Sequence, residues 1–264
     1  MGTAPDSQAG GAVMIRARGL EQRFGSRLLY HDVGFDVRAG EVFVILGGSG
    51  CGKSTLLRQL VGLLEPTEGT VEVLGQDMYG AGADMRDRIG VMFQAGALFG
   101  SMTLLENVML PLEMHTDMGL AAREAVARVK LGLVGLGDSA GLMPAEISGG
   151  MAKRAAIARA MALDPPLLFL DEPSAGLDPI TSAGFDQLIL SLRKDLGATF
   201  VVVTHELASI LAVADRCIML DKTAQGVIAE GDPRSLRDSS TEPTVRAFFH
   251  RAALAPERIG GQDA

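Results

Sequence analysis

A glycine-rich segment, residues 47–54, constrains the fold of this chain more than any other feature of its sequence. It reads GGSGCGKS and fits the phosphate-loop pattern G-x-x-x-x-G-K-[ST], between an apolar run at 42–46 and a helical pattern at 54–64. Glycines let backbone N–H groups turn inward around phosphates, and a helix N-terminus adds partial positive charge. We therefore predict that Lys53 reaches the β- and γ-phosphates of a nucleotide and that the Ser54 hydroxyl binds Mg²⁺. The alternative is a glycine-rich turn with a chance lysine.

Strand-like and helix-like segments alternate along most of the chain. Continuous apolar runs predict buried strands at 42–46, 89–93, 167–170 and 199–203. A short terminal hairpin is predicted from 217–220 and 226–230. Helices are predicted at 54–64, 120–130 and 151–163. This alternation is typical of α/β proteins, in which helices cover a mostly parallel sheet.

Two adjacent carboxylates, Asp171 and Glu172, directly follow the apolar run at 167–170. Ligands of open α/β sheets bind at the carboxyl ends of the strands. We predict that Asp171 holds Mg²⁺, directly or through water, and that Glu172 polarises an attacking water as general base. The alternative is a helix N-cap beside a solvated neighbour.

Composition limits the classes of protein to which the chain can belong. The 24 basic and 32 acidic residues give a net charge of −8, and no run of Lys or Arg forms a basic patch, which argues against nucleic-acid binding. Two cysteines are too few for a disulfide scaffold or a zinc cluster. The longest uncharged stretch, 89–105, has 17 residues and is too short and too polar to span a bilayer. Because residues 1–12 do not look like a secretory signal, we expect a cytoplasmic protein whose membrane role comes through a partner.

Five further short stretches lie at characteristic places around these two motifs. They are Phe24-Gly25, Gln94, the sequence ISGGM at 147–151, the sequence SAGLD at 174–178, and Thr204-His205. In this order and spacing they resemble the ATP-binding-cassette (ABC) ATPases over about residues 14–233. The resemblance implies an α/β fold of the P-loop NTPase type, with a mixed core sheet and an inserted helical subdomain.

The resemblance implies a role for each matching residue. ATP contacts are expected from Phe24, Gly47, Gly48, Ser49, Gly50, Cys51, Gly52, Lys53, Ser54 and Thr55. Phe24 would stack on adenine, and Mg²⁺ would be bound by Ser54, Gln94 and Asp171. The catalytic set would be Glu172, His205 and Gln94, with His205 binding the γ-phosphate and holding Glu172 and the water in line.

A second half of the site is expected from another copy of the chain. Ser148, Gly149 and Gly150 match the family's signature loop, whose helix N-terminus binds the γ-phosphate held by a second subunit. Asp178 would link the two sites. In the family that the chain resembles, the phosphate loop and the signature of one subunit do not meet. The resemblance therefore implies that two copies pair head to tail with ATP between them.

Three departures from the commonest family pattern narrow the resemblance. They are Met151 in place of the usual glutamine, the sequence FQAGALF at 93–99, and the sequence LDPIT at 177–181. Together they look like the ATPase subunit of Mla-type and Mce-associated phospholipid transporters. The implied partners are a membrane permease, an Mce-domain lipid-binding protein and, in some members, a STAS-domain protein. The ATPase would then lie peripherally on the cytoplasmic face of the inner membrane.

Two alternatives stay open on the sequence. One is an ABC ATPase for another solute, and the other is a soluble assembly ATPase of the iron–sulfur scaffold type. DNA-repair and chromosome cassette ATPases fit poorly, because Lys53 and Ser148 are only 95 residues apart and leave no room for a long coiled coil.

The expected organisation has four parts. They are a flexible tail at 1–12, an ATPase core at 13–95 and 162–238, a helical signature subdomain at 96–161, and a C-terminal extension at 239–264. The apolar segment 95–112 predicts an exposed patch in which Leu98, Phe99 and Met102 contact the permease, with core packing as the alternative. The apolar side of 244–249 predicts either docking on a neighbour or an amphipathic surface helix.

Overall fold

The computed structural model describes residues 11–80, 87–94 and 96–252. The predicted tail at 1–12 and the end of the predicted extension at 239–264 fall mostly outside these ranges. Within the described residues, ten strands form two sheets and eight α-helices pack around them. None of the described helices is long and apolar enough to cross a membrane.

The strands and helices alternate over much of the chain. In chain order the strands are β1 (Val13–Phe24), β2 (Arg27–Arg38), β3 (Val42–Gly47), β4 (Glu68–Val73), β5 (Gln76–Asp77), β6 (Ile89–Met92), β7 (Leu167–Asp171), β8 (Thr199–Val203), β9 (Arg216–Asp221) and β10 (Gly226–Gly231). The α-helices are α1 (Lys53–Leu60), α2 (Leu104–His115), α3 (Leu120–Leu133), α4 (Gly149–Ala160), α5 (Pro179–Leu196), α6 (Leu207–Val213), α7 (Pro233–Ser239) and α8 (Pro243–His250).

The larger sheet has six strands in the order β10-β9-β3-β8-β7-β6. All neighbours in it are parallel except β9 and β10. Strands β3, β7 and β8 are buried throughout, as their continuous apolar sequences predict for strands covered on both faces. Because these strands are parallel and adjacent, Gly47, Asp171 and Val203 end at the same edge of the sheet.

The smaller sheet is antiparallel and has the order β2-β1-β4-β5. Its inner side shares one apolar cluster with β3 and α1, and Phe35 of β2 stacks on Phe43 of β3 with ring centroids 5.3 Å apart. The sheet therefore holds the phosphate-loop helix from one side, while α5 and the α2–α4 helices pack on a second cluster.

The predicted strands agree with the observed ones to within one residue at each end, and the terminal hairpin is present as β9 and β10. The helix predicted at 54–64 ends at Leu60, because Gly62 has φ +72° and turns the chain away. The helix predicted at 151–163 begins at Gly149, because Ser148 caps it, and ends at Ala160. The α/β fold with a mixed core sheet is confirmed.

The apolar segment 95–112 is only partly exposed. Its second half forms α2, which begins at a capping box between Thr103 and Glu106 and buries Leu104, Val108 and Leu112 in the core. Glycines at 96 and 100 precede this helix and do not interrupt its apolar side. The apolar side chains from residue 104 onward therefore serve mainly the chain's own packing.

The apolar side of α8 also faces the chain's own core. Val245 is fully buried and Phe249 is 4% exposed, and both belong to the cluster that contains α6 side chains. The prediction that 244–249 docks on a neighbour through these side chains is wrong, because they are already covered. The alternative, an amphipathic helix lying on the surface of its own chain, describes α8.

Candidate active site

The phosphate loop joins β3 to α1 in a conformation that only glycine allows at two positions. Gly47 has φ +146°, and a Cβ atom there would lie 2.2 Å from the Leu220 carbonyl oxygen. Gly52 has φ +106°, and a Cβ atom there would lie 2.8 Å from the Tyr30 ring. Side chains at these positions would force the loop outward, so the glycines fix its path.

The loop places a cation beside its own backbone. Lys53 Nζ donates to the carbonyl oxygens of Gly47 at 2.8 Å and Gly48 at 3.2 Å. Gly48, Ser49 and Gly50 are exposed, whereas Cys51 is buried, and burial raises the pKa of its thiol. The open side of the loop thus presents backbone groups, the helix N-terminus and a lysine, which suit an anion.

A cleft continues from the loop toward the turn between β1 and β2. It is lined by Phe24, Arg27, Leu29, Gly50, Gly52, Lys53, Ser54 and Thr55. The Phe24 side chain is 53% exposed and therefore presents a ring face beside the phosphate loop. Arg27 was missed by the sequence analysis, although it pairs with Phe24 across a two-residue turn. A ring and a guanidinium at one end and a phosphate loop at the other suit a nucleotide.

Asp171 ends β7 and is 8% exposed. Burial raises the pKa of its carboxyl, and the neighbouring Glu172 charge adds to this effect. Arg58 and Lys53 lower that pKa, as does a hydrogen bond with the Ser54 hydroxyl. The structure thus brings together Ser54 and Asp171, two of the three residues predicted from separate motifs to bind Mg²⁺.

Three buried oxygens at this edge of the sheet lack a hydrogen-bond partner among the described residues. They are Asp171 Oδ1, Glu172 Oε2 and Ser174 Oγ. Buried polar atoms are usually paired, so a cluster of unpaired ones is expected to bind a ligand. Carboxylate and hydroxyl oxygens are the donors that Mg²⁺ takes together with nucleotide phosphates, so these residues fit the ion.

Glu172 is held in a left-handed backbone conformation, with φ +48°. Its N–H donates to the Val203 carbonyl at 2.8 Å, and its Oε1 lies 2.8 Å from His205 Nδ1. The Glu172 side chain is 10% exposed, whereas that of His205 is 56% exposed. The histidine thus orients one oxygen of a buried carboxylate, and the other oxygen is left for a ligand or water.

Lys153 of α4 connects that helix to the backbone of Glu172. Its Nζ donates to the carbonyl oxygens of Glu172 at 3.3 Å and Ala175 at 2.5 Å. Burial lowers the pKa of Lys153, and the Glu172 charge raises it. Sequence analysis placed Lys153 on the helix but gave it no role, because its two acceptors are backbone atoms 19 and 22 residues away.

Gln94 is exposed and follows β6. The chain after it is held by Arg159 of α4, which donates to the carbonyl oxygens of Gly96 at 3.0 Å and Ala97 at 2.7 Å. The Arg159 guanidinium also lies 6.0 Å from the centroid of the Phe99 ring. The same helix therefore supports the segments that follow Gln94 and Glu172.

The signature residues lie at the N-terminus of α4. Ser148 is its N-cap and accepts from the Met151 N–H at 3.3 Å, while Ser148 and Gly149 are exposed. Gly150 is buried, and a Cβ atom there would lie 2.8 Å from Thr181 Cγ2. Within the described residues, no hydrogen bond or ion pair joins Ser148 or Gly149 to the phosphate loop.

Asp178 caps the neighbouring helix α5. Its Oδ1 accepts from the N–H groups of Ile180 and Thr181, both at 3.0 Å. Hydrogen bonds from Thr181 lower the pKa of the Asp178 carboxyl. Because Thr181 also contacts Gly150, the signature loop and the Asp178 turn form one exposed surface.

A phosphate loop, a buried carboxylate beside its serine and an oriented glutamate together define a nucleoside-triphosphate hydrolase of the P-loop class. The ABC transporter family profile matches residues 30–175. The chain is 42% identical over 248 residues to the "Probable ribonucleotide transport ATP-binding protein mkl" of Mycobacterium leprae, covering 92% of this chain and 71% of that one. It is 37% identical over 250 residues to the "Intermembrane phospholipid transport system ATP-binding protein MlaF" of Escherichia coli K12, covering 93% and 91%.

A solved structure agrees with these sequence comparisons. The dimeric ATP-binding cassette MJ0796, bound to ADP and Pi, superposes with a TM-score of 0.74 and 32% identity, over 83% of this chain and 98% of that one. The chain therefore belongs to the ABC transporter family and is the ATP-binding and ATP-hydrolysing subunit of such a transporter. The resemblance, the fold and the ATPase activity predicted from sequence are confirmed, whereas the roles of individual site residues stay predictions.

Proposed function

We propose that this chain drives phospholipid transport between membranes through a partner permease. The observation that supports this most is the similarity to proteins named for intermembrane phospholipid transport, which extends over nine-tenths of both chains. Met151 and the sequences at 93–99 and 177–181 point to the same branch. The ATPase would then lie on the cytoplasmic face of the inner membrane, beneath the permease and an Mce-domain protein, with a STAS-domain protein as a further partner.

The hydrolytic step would use groups that the chain already holds in place. Lys53 and the loop amides would neutralise the β- and γ-phosphates, while Ser54, Asp171 and Gln94 would hold Mg²⁺, which supplies further charge neutralisation. Glu172 would polarise the attacking water, and His205 would keep that carboxylate in line through its 2.8 Å contact with Oε1. Phe24 would stack on the adenine at the other end of the cleft.

A second copy would complete each site. Ser148 and Gly149 are exposed at the N-terminus of the twelve-residue helix α4, where free N–H groups and the helix dipole favour an anion. In a head-to-tail dimer these groups would meet the γ-phosphate on the partner's phosphate loop. Asp178, on the same surface, would then face the partner.

The permease would contact the loop before α2. Phe99 is 50% exposed, and Met102 lines a neighbouring cleft with Ser101, Glu106, Met109, Leu110 and Glu113. Leu98 packs partly on the core and so contributes less surface. Asn107 fixes this loop from α2, since its amide bonds the backbone of Phe99, Met102 and Thr103.

Phe99→Asp tests this contact. Transport and co-purification with the permease should fall, while the isolated subunit keeps its circular dichroism spectrum and its ATP binding. Phe249→Asp, at a buried phenylalanine, is the matched control and should unfold the subunit. Unchanged transport, or unfolding of Phe99→Asp itself, would exclude the contact.

The solute is tested with the whole transporter. The chain, its permease and its Mce-domain protein are reconstituted in vesicles, and ATP-dependent transfer of a labelled phospholipid is measured, with Glu172→Gln as the inactive control. We expect transfer only with the unmodified chain and ATP. ATP hydrolysis stimulated by ribonucleotides, with no lipid transfer, would overturn the proposal in favour of the solute named for mkl.

A further inference from the structure

Three buried polar side chains form a continuous chain of hydrogen bonds behind the nucleotide cleft. Tyr30 of β2 and Gln59 of α1 are fully buried, and Gln22 of β1 is 4% exposed. The Tyr30 hydroxyl donates to Gln59 Oε1 at 2.7 Å, and Gln59 Nε2 donates to Gln22 Oε1 at 2.8 Å. Gln22 Nε2 donates to the Arg23 carbonyl at 2.9 Å. Burial raises the pKa of Tyr30, so its hydroxyl stays protonated and able to donate.

Each end of this hydrogen-bond chain reaches one wall of the cleft. The Tyr30 ring packs under Gly52 of the phosphate loop, where it occupies the space of a Cβ atom. At the other end, the Arg23 carbonyl belongs to the peptide bond that precedes Phe24. Gln59 lies in α1, the helix that continues from the phosphate loop. The three side chains therefore connect the loop for phosphates with the residue expected to hold adenine.

The regular strand pairing does not fix this end of the hairpin by itself. The register of β1 and β2 shifts between Gln22 and Arg23, immediately before Phe24. A register shift disrupts the ladder locally and bends the strand, so contacts outside the ladder contribute to the position of Phe24 beyond it. Since a buried polar group without a partner is costly, alternative positions of β1 that break these hydrogen bonds are disfavoured.

We propose that Gln22, Tyr30 and Gln59 are positioning residues that set the distance between Phe24 and the phosphate loop and thereby the affinity for the adenosine part of the nucleotide. The inference rests on the proposed stacking of Phe24 on adenine. None of the three side chains is among the described residues that line the nucleotide cleft. Loss of these side chains should weaken the binding of ligands that carry a base. It should not change the affinity for a ligand that consists of phosphates only.

The experiment compares two ligands on the isolated full-length subunit. Dissociation constants of ADP and of pyrophosphate, both with Mg²⁺, are measured by calorimetry, with pyrophosphate in competition against ADP. Neither ligand is a substrate, so hydrolysis does not interfere. Phe24→Ala should raise the dissociation constant of ADP about tenfold, which corresponds to the free energy of stacking one base on an aromatic ring. The dissociation constant of pyrophosphate should not change.

Two variants alter the hydrogen-bond chain of Gln22, Tyr30 and Gln59 and are called the network variants. Tyr30→Phe removes only the hydroxyl oxygen. The double variant combines Tyr30→Phe with Gln59→Leu and replaces two bonded partners by apolar groups. Both should weaken ADP about three- to tenfold relative to pyrophosphate. Tyr79→Phe is the matched control, because the Tyr79 hydroxyl bonds the backbone carbonyls of Gln59 and Leu64 and so contacts α1 at its backbone. The control should leave the ratio of the two constants unchanged.

The outcomes separate the inference from the proposed function. If Phe24→Ala does not change the ADP constant, the stacking role fails and the inference fails with it. If Phe24→Ala acts but the network variants leave the ratio unchanged, the inference alone is overturned. If the double variant lowers thermal stability and weakens both ligands equally, the network has a structural role only, which also overturns the inference.

Discussion

Two buried polar clusters, one at the carboxyl end of β7 and one behind the nucleotide cleft, differ in how their groups are paired. At the carboxyl end of β7, Asp171, Glu172 and Ser174 each keep one buried oxygen without a partner in the described structure. Behind the phosphate loop, the Tyr30 hydroxyl and the amides of Gln59 and Gln22 are joined in one chain of hydrogen bonds. All six side chains are buried, so burial alone does not explain the difference.

The comparison indicates what each cluster is for. Unpaired buried oxygens raise the free energy of the empty protein, and a ligand that supplies a cation and a water relieves that cost. A cluster in which each nitrogen and oxygen already has a partner leaves no atom unpaired for a ligand, and we expect it to act through the geometry it imposes. Substitutions in the first cluster should therefore affect catalysis more than folding, and substitutions in the second should do the reverse.

The largest effect is expected from Glu172→Gln in the first cluster. The amide keeps the shape of the side chain but removes the proposed general base, so kcat should fall about 10²- to 10⁴-fold while ATP still binds. This loss corresponds to roughly 3–5 kcal/mol in the barrier. ATP should then trap a dimer that gel filtration detects.

Lys53→Ala is the control for that trapping, since it should weaken nucleotide binding and yield no dimer. Combining Glu172→Gln with Ser148→Arg should also abolish the dimer but leave ATP binding to the monomer, because Ser148 is proposed to bind the nucleotide held by the partner. A Glu172→Gln variant as active as the parent would remove Glu172 from the role of base.

A smaller effect, on stability instead of rate, is expected from Gln59→Leu in the second cluster. It removes the partners of the Tyr30 hydroxyl and of the Gln22 side-chain oxygen Oε1, which should lower the free energy of unfolding by about 1–3 kcal/mol. Denaturant titration measures the loss. Gln76→Leu, at an exposed glutamine of β5, should change stability by less than about 0.5 kcal/mol, and equal losses in both would contradict the comparison.

The two clusters also differ in how far the sequence predicts them. The phosphate loop and Asp171-Glu172 are local patterns next to buried apolar strands, so their meeting at one sheet edge follows from parallel pairing. Gln22, Tyr30 and Gln59 carry no pattern, because a hydrogen bond between residues 29 or 37 positions apart depends on the packing of the smaller sheet on α1. The predicted docking of 244–249 on a neighbour through Val245 and Phe249 is wrong for a related reason, because the apolar side of a helix does not identify the surface that covers it.

Lys153→Met tests whether the first cluster includes Lys153, which bonds the Glu172 backbone from α4. It removes the hydrogen bonds to the Glu172 and Ala175 carbonyls, so the strained Glu172 backbone loses support. We expect kcat to fall about tenfold, which is ~1.4 kcal/mol in the barrier, with KM for ATP unchanged. Lys153→Arg should stay within about threefold of the parent, because it keeps a cationic donor. A shift in KM instead of kcat would place Lys153 in nucleotide binding.

The smallest effect concerns how the free energy of unfolding depends on pH. A bound ligand should remove the contribution of one buried carboxylate to this dependence and leave that of another unchanged. Burial raises the pKa of both Asp171, beside the phosphate loop, and Asp186, which accepts from Ser209 between α5 and α6. A carboxyl with a raised pKa binds its proton more tightly in the folded state. Its stabilising contribution is therefore complete below the ordinary pKa of about 3.9 and is lost as pH rises through the folded value.

The free energy of unfolding is measured by chemical denaturation from about pH 3.9 upward, without Mg²⁺ or nucleotide. It should decline less with rising pH in Asp171→Asn and in Asp186→Asn than in the parent. Each difference should be at most about 1 kcal/mol. Adding Mg²⁺ and ADP should abolish the difference for Asp171→Asn or reverse its sign, because a cation favours the ionised carboxyl. The difference for Asp186→Asn should persist, since no cation is expected between α5 and α6. If the ligands changed both differences equally, the unpaired oxygen of Asp171 would not be reserved for Mg²⁺, and the contrast between the two polar clusters would lose its main support.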